Sequence, residues 1–222
     1  MSTADVRRRE HPTRLERQAA TRAALLRAAS RSICERGMDG ASIDLIAAEA
    51  GYTKGAFYAN FASKEDMFLA ILDERFAAEM QRLEAAMSGA GEPTAQARLA
   101  AEEFLNYVDH DPEWPRLYQE FATHAARNEE FRAVLAERQR GLRERMAAIF
   151  AHWTGVLGVK PTIPHEDVAA MIFAMADGFL LNRLIDPQLD NSLYATMSEV
   201  FLKGLAAMAE EAETQADASA RR

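Results

Sequence analysis

The chain has a single cysteine, Cys34, among its 222 residues, which excludes an internal disulfide framework. It also has no long hydrophobic run: the longest apolar stretch, near Met171 to Leu181, is interrupted by Asp177 and is too short to span a bilayer. Residues 1–10 are polar and basic, without the apolar segment of a secretory signal. These absences predict a soluble, cytoplasmic protein with no membrane partner.

Signatures of catalysis and of metal binding are missing as well. The sequence has no glycine-rich phosphate loop, no Gly-x-Ser-x-Gly elbow and no Cys/His cluster with zinc spacing. His110 lies between Asp109 and Asp111, but polar residues that end a helix before a proline are more often a solvated cap than a metal site. We therefore expect a protein that is not an enzyme and that needs no metal or cofactor.

The composition favours helices over strands. Ala, Leu, Glu, Arg and Met are abundant, whereas Val, Ile and Thr are sparse. No segment sustains a two-residue alternation of apolar and polar side chains. Since 49% of the residues are hydrophobic, the chain can bury a sizeable core. The predicted fold class is all-α.

One segment, residues 42–68, carries specific local signals. Ser42 can act as an N-cap, because its hydroxyl can accept a hydrogen bond from a free amide of the first helical turn. Gly51 follows where a residue in the left-handed conformation would end that helix. The positions that form its buried face, at helical spacing, are Ile43, Ile46, Ala47 and Ala50.

Two further helix starts follow closely in the sequence. Thr53 can cap a second, very short helix, and Ser63 with Asp66 has capping-box spacing, which predicts a third helix from Lys64. A helix, a glycine turn and a second helix are the parts of a helix-turn-helix, whose second helix enters the major groove of DNA.

The exposed side of that second helix presents groups suited to DNA. Lys54 can donate to guanine, the methyl group of Thr53 can touch a thymine methyl, and Tyr58 can donate to a phosphate. Gly55 allows close approach of the backbone, while Lys64 adds its charge to a helix N-terminus. A plain helical hairpin with solvated side chains could have the same composition. The predicted DNA-binding residues are Ser42, Thr53, Lys54, Gly55, Tyr58, Asn60 and Lys64.

Residues 42–72 resemble the DNA-binding domain of the tetracycline-repressor (TetR) family. The match is carried by residues 50–68, Ala-Gly-Tyr-Thr-Lys-Gly-Ala-Phe-Tyr-Ala-Asn-Phe-Ala-Ser-Lys-Glu-Asp-Met-Phe. The family pattern is roughly Ala-Gly-Val-Ser-Lys-Gly-Thr-Leu-Tyr-His-His-Phe-Xaa-Ser-Lys-Glu-Glu-Leu. Ala59 and Asn60 depart from it, which leaves the contacts made at these two positions open. The positions that match, and to which the resemblance assigns the family's roles, are Thr53, Lys54, Gly55, Tyr58, Phe61 and Lys64.

The resemblance implies a transcriptional regulator. By default such a protein is a repressor that occupies a palindromic operator in double-stranded DNA and is released when a small molecule binds. The resemblance also implies an inducer pocket in the C-terminal domain and a homodimer formed by two C-terminal helices of each subunit. The sequence alone leaves repression, activation and nucleoid-type binding open.

Charge is distributed unevenly along the chain. The net charge is −8, yet residues 1–64 hold 11 Lys and Arg against 7 Asp and Glu. Residues 65–222 hold 15 against 27. Such asymmetry points to a nucleic-acid face on the positive part.

The sequence divides into four predicted segments. Residues 1–12 form a basic arm, disordered or reaching DNA through Arg7, Arg8 and Arg9. Residues 13–73 form the three-helix DNA-binding domain, and 74–210 form a helical ligand-binding and dimerisation domain. Residues 211–222 are a polar tail, expected to be disordered at its end.

The last two predicted helices, about residues 165–185 and 191–209, are apolar on more than one side. A helix that is apolar around most of its circumference must be buried on two faces. One face would meet the chain's own core and the other a second subunit, although burial in a large monomeric core would give the same pattern. The predicted dimer-interface residues are Val168, Ile172, Phe179, Met197, Phe201, Gly204 and Leu205.

The predicted helices that precede residue 165 contain many aromatic side chains, and two methionines of the helix at residues 165–185 are expected to lie near them. Apolar spaces between helices are common ligand sites, and methionine adds adaptability, but aromatic side chains at helical spacing are more often plain core. We expect a mainly apolar small-molecule effector, with Asn106, His124 and Arg127 as candidate polar anchors. The predicted pocket residues are Phe104, Tyr107, Trp114, Tyr118, Phe121, Phe150, Trp153, Met171 and Met175.

Overall fold

The computed structural model describes residues 13–87, 93–157 and 160–220. Helix is the only regular secondary structure in these ranges, as the composition predicts. The basic arm at residues 1–12 lies outside the described residues. The helices are α1 (Arg14–Gly40), α2 (Ile43–Glu49), α3 (Lys54–Tyr58), α4 (Lys64–Met87), α5 (Pro93–His110), α6 (Trp114–Arg127), α7 (Glu129–Leu157), α8 (His165–Ile185) and α9 (Ser192–Ala220).

The chain forms two compact units, Met1–Ile71 and Leu72–Arg222. In the first unit α1, α2 and α3 pack against one another, and α4 begins there. Their shared interior is aliphatic and aromatic, so burial of these side chains holds the short helices α2 and α3 in place. Its fully buried members include Leu25, Ile33, Ile46, Phe57 and Phe68.

In the second unit α7 lies along α8 and α5 lies along α9, while α6 contacts both α7 and α8. Two buried clusters hold these pairs together. One joins α5, α8 and α9 around Leu105, Phe179 and Tyr194. The other joins α7 and α8 around Phe150 and Val168.

One helix contains an irregular residue, and another ends later than the sequence predicts. Within α1, Gly37 takes a positive φ of 70°, after which helical backbone resumes and continues to Gly40. The predicted end of the last helix at Ala209 is wrong, because α9 continues to Ala220. Residues 206–220 are rich in Ala and Glu and contain no glycine or proline, so local propensity sustains the helix.

Helix α8 is long and apolar enough to cross a membrane by length and composition alone, with a mean hydropathy of 1.6 over its most apolar 18 residues. Burial in the protein accounts for part of this composition, since 28% of these 18 residues are buried. Val168, Ala169, Ala176, Phe179 and Leu180 are buried in the second unit.

Candidate DNA interface and effector cavity

The predicted capping pattern of the helix-turn-helix is confirmed. Ser42 Oγ accepts from the Leu45 amide at 3.3 Å, and Thr53 Oγ1 accepts from the Ala56 amide at 3.3 Å. Gly51 has a φ of 77°, a left-handed conformation that favours glycine. Each capping hydroxyl accepts these bonds and keeps its own hydrogen for donation, for example to a phosphate.

Helix α3 has an inner and an outer side. Phe57 is fully buried, with its ring 5.4 Å from that of Tyr58 and 5.5 Å from that of Phe61. Tyr58 itself is 53% exposed. Thr53, Lys54 and Gly55 are exposed too. The packing of Phe57 therefore fixes which side chains α3 offers to a ligand.

Lys54 is already paired on this surface. Its Nζ lies 2.9 Å from Oδ2 of Asp44, on the preceding helix, and both side chains are exposed. The hydrogen bond to Asp44 raises the pKa of Lys54, so the ammonium stays charged. Sequence reasoning missed Asp44. An ion pair between residues ten positions apart cannot be predicted until the geometry of the turn between their helices is known.

Lys54→Ala is expected to lower affinity for the operator by about 1–3 kcal/mol and to relax sequence preference, because a base-reading donor is lost. Asp44→Asn is the companion variant. It removes a negative charge from the DNA face and frees Lys54, so binding to all DNA should strengthen. Gel-shift titrations on specific and random DNA at two salt concentrations measure both effects. Unchanged affinity and salt dependence in Lys54→Ala would show that Lys54 does not contact DNA.

Two other predicted DNA-binding side chains have contacts within the protein. Asn60 Nδ2 donates to the Ala56 carbonyl at 2.8 Å, at the end of α3. Lys64 Nζ donates to the Met38 carbonyl at 2.9 Å and lies 5.6 Å from the centre of the Phe68 ring. Lys64 is half-buried and has further donors on its ammonium. DNA contact by either residue stays a prediction.

Gly55 has no structural need for glycine. Its φ is not left-handed, and an added Cβ would make only an ordinary contact, 3.6 Å from Thr53 Oγ1. Gly55→Ala is therefore expected to stabilise the unit by about 0.5–1 kcal/mol. If DNA approaches this position closely, the same variant should lose operator affinity. A thermal melt and a gel shift on the same sample separate the two effects, and full affinity in a stabilised variant would place the DNA elsewhere.

Within the second unit, two cavities share the lining residues Glu79, Phe104, Phe173 and Ala176. Their volumes are about 80 and 220 Å³. Helices α4, α5, α7, α8 and α9 contribute to the smaller cavity. Helices α4 to α8 contribute to the larger one.

Four of the predicted pocket residues line these cavities: Phe104 lines both, Phe150 the smaller, and Trp114 and Tyr118 the larger. The others do not. Phe121 is fully buried beside Phe131, Trp153 is half-buried, Met175 packs on a core cluster and Met171 is exposed. The Tyr107 side chain lies outside the described residues. The proposed anchors Asn106, His124 and Arg127 do not line them either.

Sequence reasoning missed the three acidic residues that line the cavities, of which Glu103 on α5 lines the smaller one. Glu79 on α4 lines both, and Asp177 on α8 lines the larger one. Burial raises the pKa of Glu79 to about 7, with a further contribution from the charge of Asp177. Burial likewise raises the pKa of Asp177 to about 6, against a hydrogen bond from Tyr118 that lowers it. A sequence signal existed, since Asp177 is the one charged residue between Asp167 and Arg183.

The predicted dimer-interface residues mostly face the interior of their own chain. Val168 and Phe179 are buried in its core, whereas Ile172, Met197, Phe201 and Leu205 are partly buried against the core clusters. Gly204 is exposed. Other apolar side chains of α8 and α9 are exposed: Met171, Leu181, Ile185, Leu193, Val200 and Met208.

A capped helix-turn-helix with an exposed second helix, followed by a helical unit with cavities, is the arrangement of a DNA-binding regulator. Residues 25–71 match the family model "Bacterial regulatory proteins, tetR family". Residues 93–207 match "BetI-type transcriptional repressor, C-terminal". The chain belongs to the TetR family of transcriptional regulators. Members of this family are soluble DNA-binding transcription factors and not enzymes.

Individual relatives agree with this assignment. The HTH-type transcriptional activator FasR of Mycolicibacterium smegmatis is 32% identical over 96 residues, which are 43% of this chain and 44% of that protein. The matched region thus spans less than half of that relative. A TetR-family regulator structure from Mesorhizobium loti has a TM-score of 0.71 at 18% identity, covering 89% of this chain and 98% of that one. The regulator FadR of Bacillus subtilis, solved with stearoyl-CoA, has a TM-score of 0.69 at 20% identity, covering 82% and 96%.

Proposed function

We propose that this protein is a cytoplasmic, ligand-responsive repressor that binds a palindromic operator as a homodimer and releases it when a small molecule enters the cavities of the second unit. The observation that carries the proposal is the exposed side of α3. It offers Thr53, Lys54, Gly55 and Tyr58 around a buried Phe57, so DNA contact needs no refolding of the segment. The excess of basic residues in residues 1–64 favours approach to phosphates.

The homodimer is supported by the apolar side chains that α8 and α9 leave exposed. On α8 they recur at Met171, Leu181 and Ile185, and Ala174 and Gly178 fill the positions between them. Steps of three and four residues keep these positions on one side of the helix. A row of exposed apolar side chains along a helix is typical of a protein–protein interaction site. A dimer with two-fold symmetry also suits an operator with two-fold symmetry.

On α9 the corresponding line is Leu193, Val200, Gly204 and Met208, and the half-buried Met197 lies between the first two. We name the lines on α8 and α9 together the apolar stripe. Our proposal places the apolar stripe in the dimer interface. Val168 and Phe179 stay in the core of their own subunit, because their side chains are already enclosed there.

Helix α4 is the element through which a ligand can act. Its first residues belong to the first unit, whereas Phe76, Glu79 and Met80 line the cavities. A ligand lowers operator affinity only if it binds the DNA-free conformation better than the DNA-bound one. A coupling free energy of about 1–3 kcal/mol between ligand binding and DNA binding is enough to change operator occupancy substantially.

The experiment that tests this function is a footprint of the purified protein on the DNA beside its own gene, at two salt concentrations. A protected inverted repeat that disappears with Lys54→Ala supports operator binding by the helix-turn-helix. The absence of protection there and in a selection from random DNA would refute it.

Activation is the second candidate, because FasR, the relative identical at 32% of the matched positions, is named as an activator. Transcription in vitro from the footprinted promoter decides between the two. A repressor lowers transcript yield when it binds, and an activator raises it.

A further inference from the structure

The acidic residues of the cavities have no cationic partner among the described residues. Glu79 is half-buried and has neither a hydrogen bond nor an ion pair to another described residue. Asp177 accepts a hydrogen bond from Tyr118, whose oxygen in turn accepts one from Gln139. A buried carboxylate without a cation is costly to keep ionised. If the cavity needed only an apolar lining, a neutral residue in place of the carboxylate would make the folded protein more stable.

The charged groups that face these carboxyls do not neutralise them. Arg143 on α7 lines the larger cavity and lowers the pKa of Tyr118, yet it is not among the groups that shift the pKa of Glu79 or of Asp177. Arg82 and Glu103 line the smaller cavity. The neutral polar groups facing the site are Tyr118, Gln139, Tyr194 and Ser198.

Part of the remaining wall of the larger cavity is aromatic, and the rest is aliphatic. The Phe76 ring lies edge-on to that of Trp114 at 5.8 Å, and Trp114 is 5.5 Å from Tyr118. All three line the larger cavity. Aromatic faces attract cations through their quadrupoles, most strongly when the site is shielded from water.

We propose that the effector is an organic cation whose charged nitrogen lies near Glu79 and Asp177 while its apolar part contacts the aromatic walls. This inference rests on the proposed function, since it names the ligand class of the same site. A cavity of about 220 Å³ suits a small one- or two-ring cation. An anionic effector, such as the stearoyl-CoA found with B. subtilis FadR, would bring negative charge towards two carboxyls.

The proposal predicts coupled proton release. With pKa values of about 7 and about 6, Glu79 and Asp177 are partly protonated near neutral pH. A bound cation favours their ionised forms, so binding releases protons and affinity for the cation rises as pH increases from about 6 to about 8.

Three ligands of one shape test the charge preference: N-methyl-4-phenylpyridinium, the neutral 4-methylbiphenyl and the anionic biphenyl-4-carboxylate. Binding to the full-length protein is followed by intrinsic tryptophan fluorescence and by calorimetry in two buffers of different ionisation enthalpy. The cation should bind about tenfold or more tightly than the neutral ligand, since only the cation gains Coulomb attraction to the carboxylates and cation–π contacts with the aromatic rings. The anion should bind weakest.

Glu79→Gln should remove most of this preference and the proton release while leaving the affinity for 4-methylbiphenyl unchanged. Glu84→Gln is the matched control, because Glu84 is an exposed carboxylate of the same helix that does not line the cavities. It should behave like the unsubstituted protein. Equal affinity for cation and neutral ligand, or an equal loss of both in Glu79→Gln, would overturn the inference.

Operator binding is measured on the same samples, so that the proposed function and the cationic ligand class can be refuted independently of each other. If the protein protects its operator but shows no charge preference, the ligand class is wrong and the proposed function stands. If the cation binds with the expected preference but no operator is ever protected, the cation site stands and the proposed function is wrong.

Discussion

Replacing Val200 by aspartate is expected to dissociate the dimer and to lower operator affinity by about 10²–10⁴-fold, the loss that follows when two linked binding events become independent. Val200 is 66% exposed in the single chain and lies in the middle of the apolar stripe. A carboxylate there would be buried without a partner in the dimer, and the two-fold axis doubles the effect. The fold of the subunit should be untouched, because the side chain is not part of the core.

Analytical ultracentrifugation and gel shifts measure the two consequences of Val200→Asp. Ala206→Asp is the control, since Ala206 is exposed on α9 but lies well off the apolar stripe. The control should remain dimeric. A Val200→Asp protein that is still a dimer at micromolar concentration, with unchanged operator affinity, would exclude α9 from the interface.

Glu79→Gln is expected to stabilise the ligand-free protein at pH 8 by at most about 3 kcal/mol. The folded-state pKa of Glu79 is raised from 4.5 to about 7. Between these values the folded protein binds more protons than the unfolded chain, so this carboxyl makes stability fall as pH rises. Above pH 7 the full penalty is present, and glutamine, which does not titrate, removes it.

Calorimetric unfolding at pH 5 and pH 8 measures the effect of Glu79→Gln. The gain should be large at pH 8 and small at pH 5, where the glutamate is protonated in the folded state. Glu84→Gln should show neither the gain nor its pH dependence. Equal stability of Glu79→Gln and the unsubstituted protein at both pH values would mean that Glu79 ionises as freely as it does in water.

The sequence predicted those features that depend on neighbouring residues. The caps at Ser42 and Thr53 and the turn at Gly51 follow from short-range geometry, so their residue types identify them directly. The family resemblance then supplied the architecture of the second unit, which composition alone would have left as generic helices.

Features set by tertiary packing were harder to predict. Helix α8 is apolar around most of its circumference, so the sequence did not distinguish Phe179, which faces the core, from Leu181, which faces outward. Asp44 lies beside Lys54 only because the turn at Gly51 brings α2 and α3 together. The role of Asp177 depends on Glu79, 98 residues earlier in the chain, and no local pattern connects them.

The pairing of Asp44 with Lys54 also bears on how the protein searches a genome. On DNA without the right base, Lys54 can stay with Asp44, and the carboxylate repels nearby phosphates. Only a base that offers better acceptors draws the ammonium away. We expect this pair to shorten the dwell time on unrelated sequences more than it weakens the operator complex, so that a regulator present in few copies spends less of its time trapped on the wrong DNA.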